Sequence, residues 1–258
     1  MGRRFDPDRA HKSQQGGESL KVFVDIGSHF GETLVEVLKP KYGFEKILSV
    51  EPSQLALSKL RKFRDSRVQI YGWGAWDRDG SAVLYSAGAV GGSLYSDKPR
   101  YGQRQEIISL QDIKELLDAH LNINDYVYMK INAEGSEFVI LNRILKESSL
   151  NWRIQSILLS LDLVKIPSMK HHEIEMLQLI ENSDVKIATR KDSDPARAVR
   201  IWLKGEGAHA NNLSISTFAK YLIAVPIYFH LRLVLKSFVP KKLWLKFALK
   251  LGPNRVRN

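Results

Sequence analysis

Cysteine is absent from all 258 residues, which excludes disulfides and thiolate zinc sites and permits a reducing compartment. A secretory apolar stretch is also lacking, because the start MGRRFDPDRAHKSQQGGES is polar throughout. Near the other end, Tyr221 to Phe229 is the longest uncharged run of its region, contains Pro226 and is too short for a bilayer span. Acidic residues are missing from Asn211 to Asn258, where nine Lys and Arg stand alone. That segment holds +9 of the formal net charge of +11, leaving +2 for residues 1–210. The basic character therefore belongs to a C-terminal appendage, and the rest of the chain has no charge-based need of a polyanion. Missing too is the G-x-G-x-x-G turn that cradles a pyrophosphate.

In its place stands VFVDIGSHFGET at 22–33, followed by LSVEPS at 48–53. Val22 to Val24 is a short apolar strand, Asp25-Ile26-Gly27 ends it, and Gly31 opens a helix with Leu34, Val35, Val37 and Leu38 available for one face. Gly27 and Gly31 let backbone approach a ligand, and the helix start presents unpaired N–H groups. A second strand, Lys46 to Val50, runs into Glu51, whose two oxygens suit a pair of ribose hydroxyls. An acid at the end of the first strand repels a pyrophosphate but tolerates a cationic amino-acid headgroup, so Asp25 favours S-adenosylmethionine over a dinucleotide. With 44% hydrophobic residues, the chain can build one large α/β domain over 20–210. Residues 1–19 read as a mobile extension.

Strand-like and helix-like segments alternate along that domain, the mark of a doubly wound, mostly parallel sheet with ligands across the carboxyl ends of its strands. Gln54 to Phe63 reads as helix and Val68 to Tyr71 as strand. Arg78-Asp79-Gly80 and Gly91-Gly92-Ser93 then mark a β-hairpin inserted into the alternation. Leu110 to His120 is expected as helix, Tyr126 to Ile131 as strand, Glu137 to Glu147 as helix and Ile154 to Leu161 as strand. Val185 to Thr189 and Ala198 to Leu203 are expected to form a terminal β-hairpin around the loop Arg190 to Ala196. Trp73 and Trp76 read as core beside a strand end. His171-His172 reads as a solvated helix start, with no third ligand at a metal-binding spacing.

A second constellation, MKINAEGSEF at 129–138, closes the strand Tyr126 to Ile131. If the alternation persists, Lys130, Asn132 and Glu134 share one side, and Glu137 begins the next helix. A lysine beside two carboxylates can shape a proton-abstraction site, with Lys130 as charge partner and Glu134 or Glu137 as base toward a hydroxyl. The same residues also fit a plain Lys-Glu ion pair at a strand end.

In order, VDIGSHFGET, VEPS, GWGAWDRDGSAVLY, GGSLY and KINAEGSEFVIL resemble the FkbM family of S-adenosylmethionine-dependent methyltransferases over roughly residues 20–205. That family methylates hydroxyl groups, often on sugars, glycolipids and surface polysaccharides, on a class I methyltransferase fold. The resemblance implies that Asp25, Gly27, Ser28, His29 and Gly31 surround the methionine part of the cofactor. It implies that Glu51 and Pro52 hold the ribose and that Gly74 and Ala75 flank adenine. His29 stands where relatives commonly carry Asn, and Asn132 where they carry Asp. An amide cannot take a proton near neutrality, so Glu134 becomes the preferred base, with Lys130 and Asn132 orienting the acceptor oxygen. No metal is called for by these residues. The Asn132 exchange also motivates a second reading, a cofactor-binding or scaffolding subunit that has lost catalysis.

In the appendage, Lys242, Lys246 and Lys250 recur every fourth residue while Leu243, Trp244, Phe247 and Leu251 gather on or near the other side. A basic amphipathic helix of this kind over 214–251 suits an anionic membrane surface or, with its lysines in water, packing on the main domain or a dimer partner, and its apolar fraction weighs against nucleic acid. The expected place is cytoplasmic and peripheral, at the inner membrane face.

Overall fold

The computed structural model describes residues 18–99, 102–146, 153–190 and 193–205. Contacts divide the chain into 1–211 and 212–258, and every described residue belongs to the first unit. The expected amphipathic helix over 214–251 and most of the expected extension lie outside the described residues.

Strand β1 (Lys21–Ile26) leads through the Gly27–Gly31 turn to α1 (Glu32–Val37), and β2 (Lys46–Val50) leads through Glu51 to α2 (Gln54–Leu60). After β3 (Val68–Tyr71) the alternation pauses for β4 (Gly74–Trp76), β5 (Gly80–Tyr85) and β6 (Gln105–Asp112). It resumes with α3 (Ile113–His120), β7 (Tyr126–Ile131), α4 (Glu137–Lys146), β8 (Arg153–Leu159), α5 (Glu173–Glu181), β9 (Ile187–Thr189) and α6 (Pro195–Leu203). The main sheet is parallel in the order β3-β2-β1-β7-β8-β9. This is the doubly wound, Rossmann-like α/β fold expected from the alternation, and its order reverses between β1 and β7, where the crevice lies.

Strand residues buried on both faces explain why β1 reads as a continuous apolar run rather than an alternating one. Phe23, Ile47, Leu158 and Ala188 pack with Leu34 and Val37 of α1, Leu57 and Leu60 of α2 and Val199 and Trp202 of α6. Each of the Val, Leu, Ile and Phe side chains among these contributes roughly 1.5–3 kcal/mol by leaving water. Helices α3, α4 and α5 contact one another in succession.

The inserted hairpin is present, with β5 antiparallel to β6, and β4 joins it as a third, parallel strand in a separate sheet. Two expectations are corrected. Leu110 to Asp112 ends β6 instead of starting a helix, because Asp112 caps α3 by accepting from Lys114 N at 2.9 Å. No terminal β-hairpin forms, since Ala198 to Leu203 belongs to α6. Asp194 caps that helix on Ala196 N and Arg197 N, Pro195 opens it, and Ala198, Val199 and Trp202 make a helical face rather than a strand's alternation. The Trp202 indole then donates to Ser156 Oγ at 2.9 Å, fastening α6 to β8.

Candidate functional site

At the carboxyl end of β1, Asp25 is fully buried and its Oδ1 accepts from Lys130 Nζ at 2.8 Å. Lys130, in the adjacent register position of β7, also donates to Gly27 O at 2.7 Å. The pair is neutral overall and covered, so Asp25 repels no anion, and the charge argument drawn from the sequence does not hold. A different feature weighs against a phosphate cradle. Five successive turn N–H groups are committed inside the protein: Gly27 and Ser28 to Val50 O, His29 to Glu51, Phe30 to Glu32 and Gly31 to Ser28 O. The N–H groups that the sequence offers to a ligand at this turn are already used.

The glycines of the turn serve close packing. A Cβ on Gly27, at φ +75°, would stand 2.0 Å from Asn132 O, and one on Gly31, at φ +90°, would stand 2.5 Å from the Phe63 ring. Gly74, inside β4, has Leu110 Cδ2 at 2.8 Å from the same virtual position, and neighbouring Ala75 is buried. Ser28 links the turn to β2, donating to Asp25 O at 2.9 Å while accepting from Ser49 Oγ at 2.8 Å. His29, at φ +50°, holds Glu32 Oε1 through Nδ1 at 2.9 Å, and its Nε2 is buried without a partner.

Glu51 carries the most specific geometry on this side. Its Oε2 accepts from His29 N and its Oε1 from Ser53 N, both at 2.9 Å. Each oxygen thus keeps one lone pair for a further donor, and the half-buried Pro52 holds the chain between the two anchors. Burial pushes the Glu51 carboxyl up, while the Ser53 and His29 N–H groups and the nearby charges of His29 and Lys130 oppose that shift.

Beyond β7 the four residues expected to converge part company. The strand ends at Ile131, and Glu134 at φ +51° and Gly135 at φ +115° break its alternation. Lys130 goes to Asp25. Asn132, with its amide oriented to satisfy its neighbours, donates to Ser160 Oγ at 2.7 Å and Asp162 Oδ2 at 3.3 Å and accepts from Arg190 at 3.2 Å. Glu134 pairs with Lys98 of the loop after β5, and its carbonyl accepts from Ser93 Oγ at 2.7 Å. Glu137 is fully buried and accepts from Ala133 N at 3.1 Å and Gly135 N at 2.8 Å, which makes it a cap for the turn. Burial, and next the charges of Asp162 and Glu134, push its pKa up to about 8 against hydrogen bonds from its own N–H and that of Gly135. Burial likewise pushes Tyr95, from the same loop, up to about 12.

Asp162, Ser160, Arg190, Lys98 and Ser93 escaped the sequence reading. Asp162 pairs with Lys165 and follows directly on β8, and a carboxylate just past the end of a parallel strand is the signal that could have found it. Lys98 and Ser93 lie in a loop whose approach no local pattern announces. His172 stacks on Phe138 at 4.6 Å and pairs with Glu175 at 2.6 Å just before and within the first turn of α5, as a solvated helix start does. Trp73 is buried against Tyr71 at 5.8 Å, and Trp76 packs on the small sheet.

No protein-family model and no curated protein matches the chain. Among solved structures, methyltransferase FkbM from Methylobacillus flagellatus KT is similar at 16% identity, over 72% of this chain and 37% of its own, with a TM-score of 0.35. The present chain thus spans little more than a third of that protein's length.

Proposed function

We propose that this protein is an S-adenosylmethionine-dependent O-methyltransferase acting on a hydroxyl of a sugar, glycan or glycolipid. The observation that carries the reading is Glu51: at the end of β2, beside the reversal of strand order, its anchored oxygens each keep a lone pair for a ribose hydroxyl. Committed turn N–H groups argue for an adenosine ligand without a pyrophosphate, and the ordered motifs of the sequence point the same way. When bound, S-adenosylmethionine supplies an electrophilic methyl group on a sulfonium.

The chain's own part is alignment and proton removal. Holding a hydroxyl oxygen in line with a methyl group provides much of such a rate, and a base adds on the order of 10²–10⁴. Asp162 is our preferred base, because it stands beside Asn132 and restores the acid that the amide cannot supply. Glu134, paired with Lys98 as Asp162 is with Lys165, is the second candidate base, and Glu137, tied to the turn, is a positioning residue. The sequence of 211–258 is the basis for adding an anionic bilayer as a partner. The scaffold alternative shares the pocket and differs in turnover alone.

Calorimetric titration of S-adenosylmethionine tests the reading. Wild type is expected to bind in the micromolar range and Glu51→Ala to weaken binding by roughly 100-fold or more through loss of two charge-assisted hydrogen bonds. No binding to folded wild type overturns it.

A further inference from the structure

Glu36, on the last turn of α1, is 1% exposed and surrounded by donors. Oε1 accepts from Tyr42 OH at 2.6 Å and faces Lys41 Nζ at 3.3 Å, while Oε2 accepts from Lys39 Nζ at 2.5 Å and Arg200 Nη2 at 3.0 Å. All four lone pairs are used. Three cations meet one carboxylate, and with Asp194 as the further acid acting on Arg200 the group keeps a net positive charge. The cations are not themselves buried: the side chains of Lys39, Lys41 and Arg200 are 44%, 51% and 44% exposed. Lys41 also faces Tyr42, its Nζ 4.6 Å over that ring, and each cation has more N–H donors than its contact with Glu36 uses. A monoanionic or dianionic phosphate group matches both that charge and the donors.

Two placements indicate which phosphate. Lys21, the first residue of β1, donates to Tyr42 O at 2.8 Å, so this corner lies at the amino ends of the strands, opposite the crevice. Arg200 belongs to the last turn of α6, from which the chain runs on into the segment with nine basic residues and no acidic one.

We infer that Lys39, Lys41 and Arg200, gathered on Glu36, form a phosphate-binding site by which the folded domain itself contacts an anionic bilayer. This rests on the proposed membrane role of 211–258 and extends it to the domain. Docked through this corner, the crevice points away from the lipid. The acceptor hydroxyl then comes from the aqueous side, on a soluble sugar or glycan, and not from a glycolipid of the same bilayer.

The test is co-sedimentation of the full chain with vesicles of phosphatidylcholine alone or mixed with phosphatidylglycerol. Binding to the mixed vesicles is expected to fall roughly 25-fold in Lys39→Ala/Lys41→Ala, about 5-fold for each lysine. Glu36 keeps Tyr42 and Arg200 in that variant, and an unchanged circular dichroism melt establishes that it folds. A triple Ala variant at Lys242, Lys246 and Lys250 measures the tail separately. Loss in the tail variant with none in Lys39→Ala/Lys41→Ala overturns the corner site while sparing the tail. Failure of wild type to bind mixed vesicles overturns both. Saturable binding of inorganic phosphate without vesicle retention makes the site one for a free anion and overturns the bilayer assignment. None of these outcomes touches the methyl-donor pocket, which calorimetry reads without lipid.

Discussion

The two halves of the crevice handle their acids differently. Every acid has a donor, Asp25 and Glu51 on one side as Glu134, Asp162 and Glu137 on the other, but around β1 and β2 no second carboxylate among the described residues shifts Glu51. Around the exits of β7 and β8, Glu134, Glu137 and Asp162 stand close enough to raise Glu137 to about 8, with burial as the larger cause. The first arrangement is the one proposed above to hold the methyl donor. The second is a cluster of acids in which adding or removing one proton alters a neighbour. Gly27 joins them, because its missing Cβ admits Asn132 O from the opposite half.

Breaking that junction has the largest expected effect. Gly27→Ala places a methyl group 2.0 Å from the Asn132 carbonyl at φ +75°, and a loss on the order of 4 kcal/mol or more is expected in urea unfolding. Wild-type stability would show that the halves part without cost.

Next comes Lys130→Met, which strands the buried Asp25 carboxylate. A cost of about 3–5 kcal/mol is expected, with much of it recovered in Asp25→Asn/Lys130→Met because no charge is left unpaired. Additive losses in the double variant would mean that the two residues are not coupled.

The acceptor half is sharpened by pH. A carboxyl raised from 4.5 to about 8 in the folded state binds its proton more tightly there, so wild type loses stability as pH climbs between those values and levels off above them. Glu137→Gln removes that titration, and its melting temperature is expected to vary less over the window. An unchanged slope would assign the loss to other groups.

Smallest is Lys98→Met. Glu134, 20% exposed at its side chain, regains water as it loses its partner, and about 1 kcal/mol is expected by urea unfolding. A loss as large as that of Lys130→Met would erase the contrast between the halves.

Residue patterns alone determined much of this protein. The apolar runs of β1, β2 and β7, their spacing and the acids at their ends are local, and local signals survive folding. Extra strands were legible around Arg78-Asp79-Gly80, but that turn separates β4 from β5, which do not pair, and β5 finds its antiparallel partner in β6 beyond residues 86–104; the start of α4 was legible from Glu137. Where local signals competed, the sequence reading went astray. Ala198 to Leu203 is short and apolar with Val199, Ile201 and Trp202, as a strand is, yet the Asp194-Pro195 cap and the fit of Trp202 against β8 settled it as helix.

The side-chain partners were a matter for tertiary structure. Lys130 and Glu134 lie four residues apart and were expected side by side, but parallel pairing sets Lys130 against Asp25, and a turn with two positive φ values sends Glu134 to Lys98. Asp162 meets Asn132 only because β7 and β8 are neighbours in the sheet. Periodicity and turn chemistry act over a few residues and can be read along the chain. Charge compensation acts over a few ångströms, and which residues come that close is decided by the register of strands far apart in sequence.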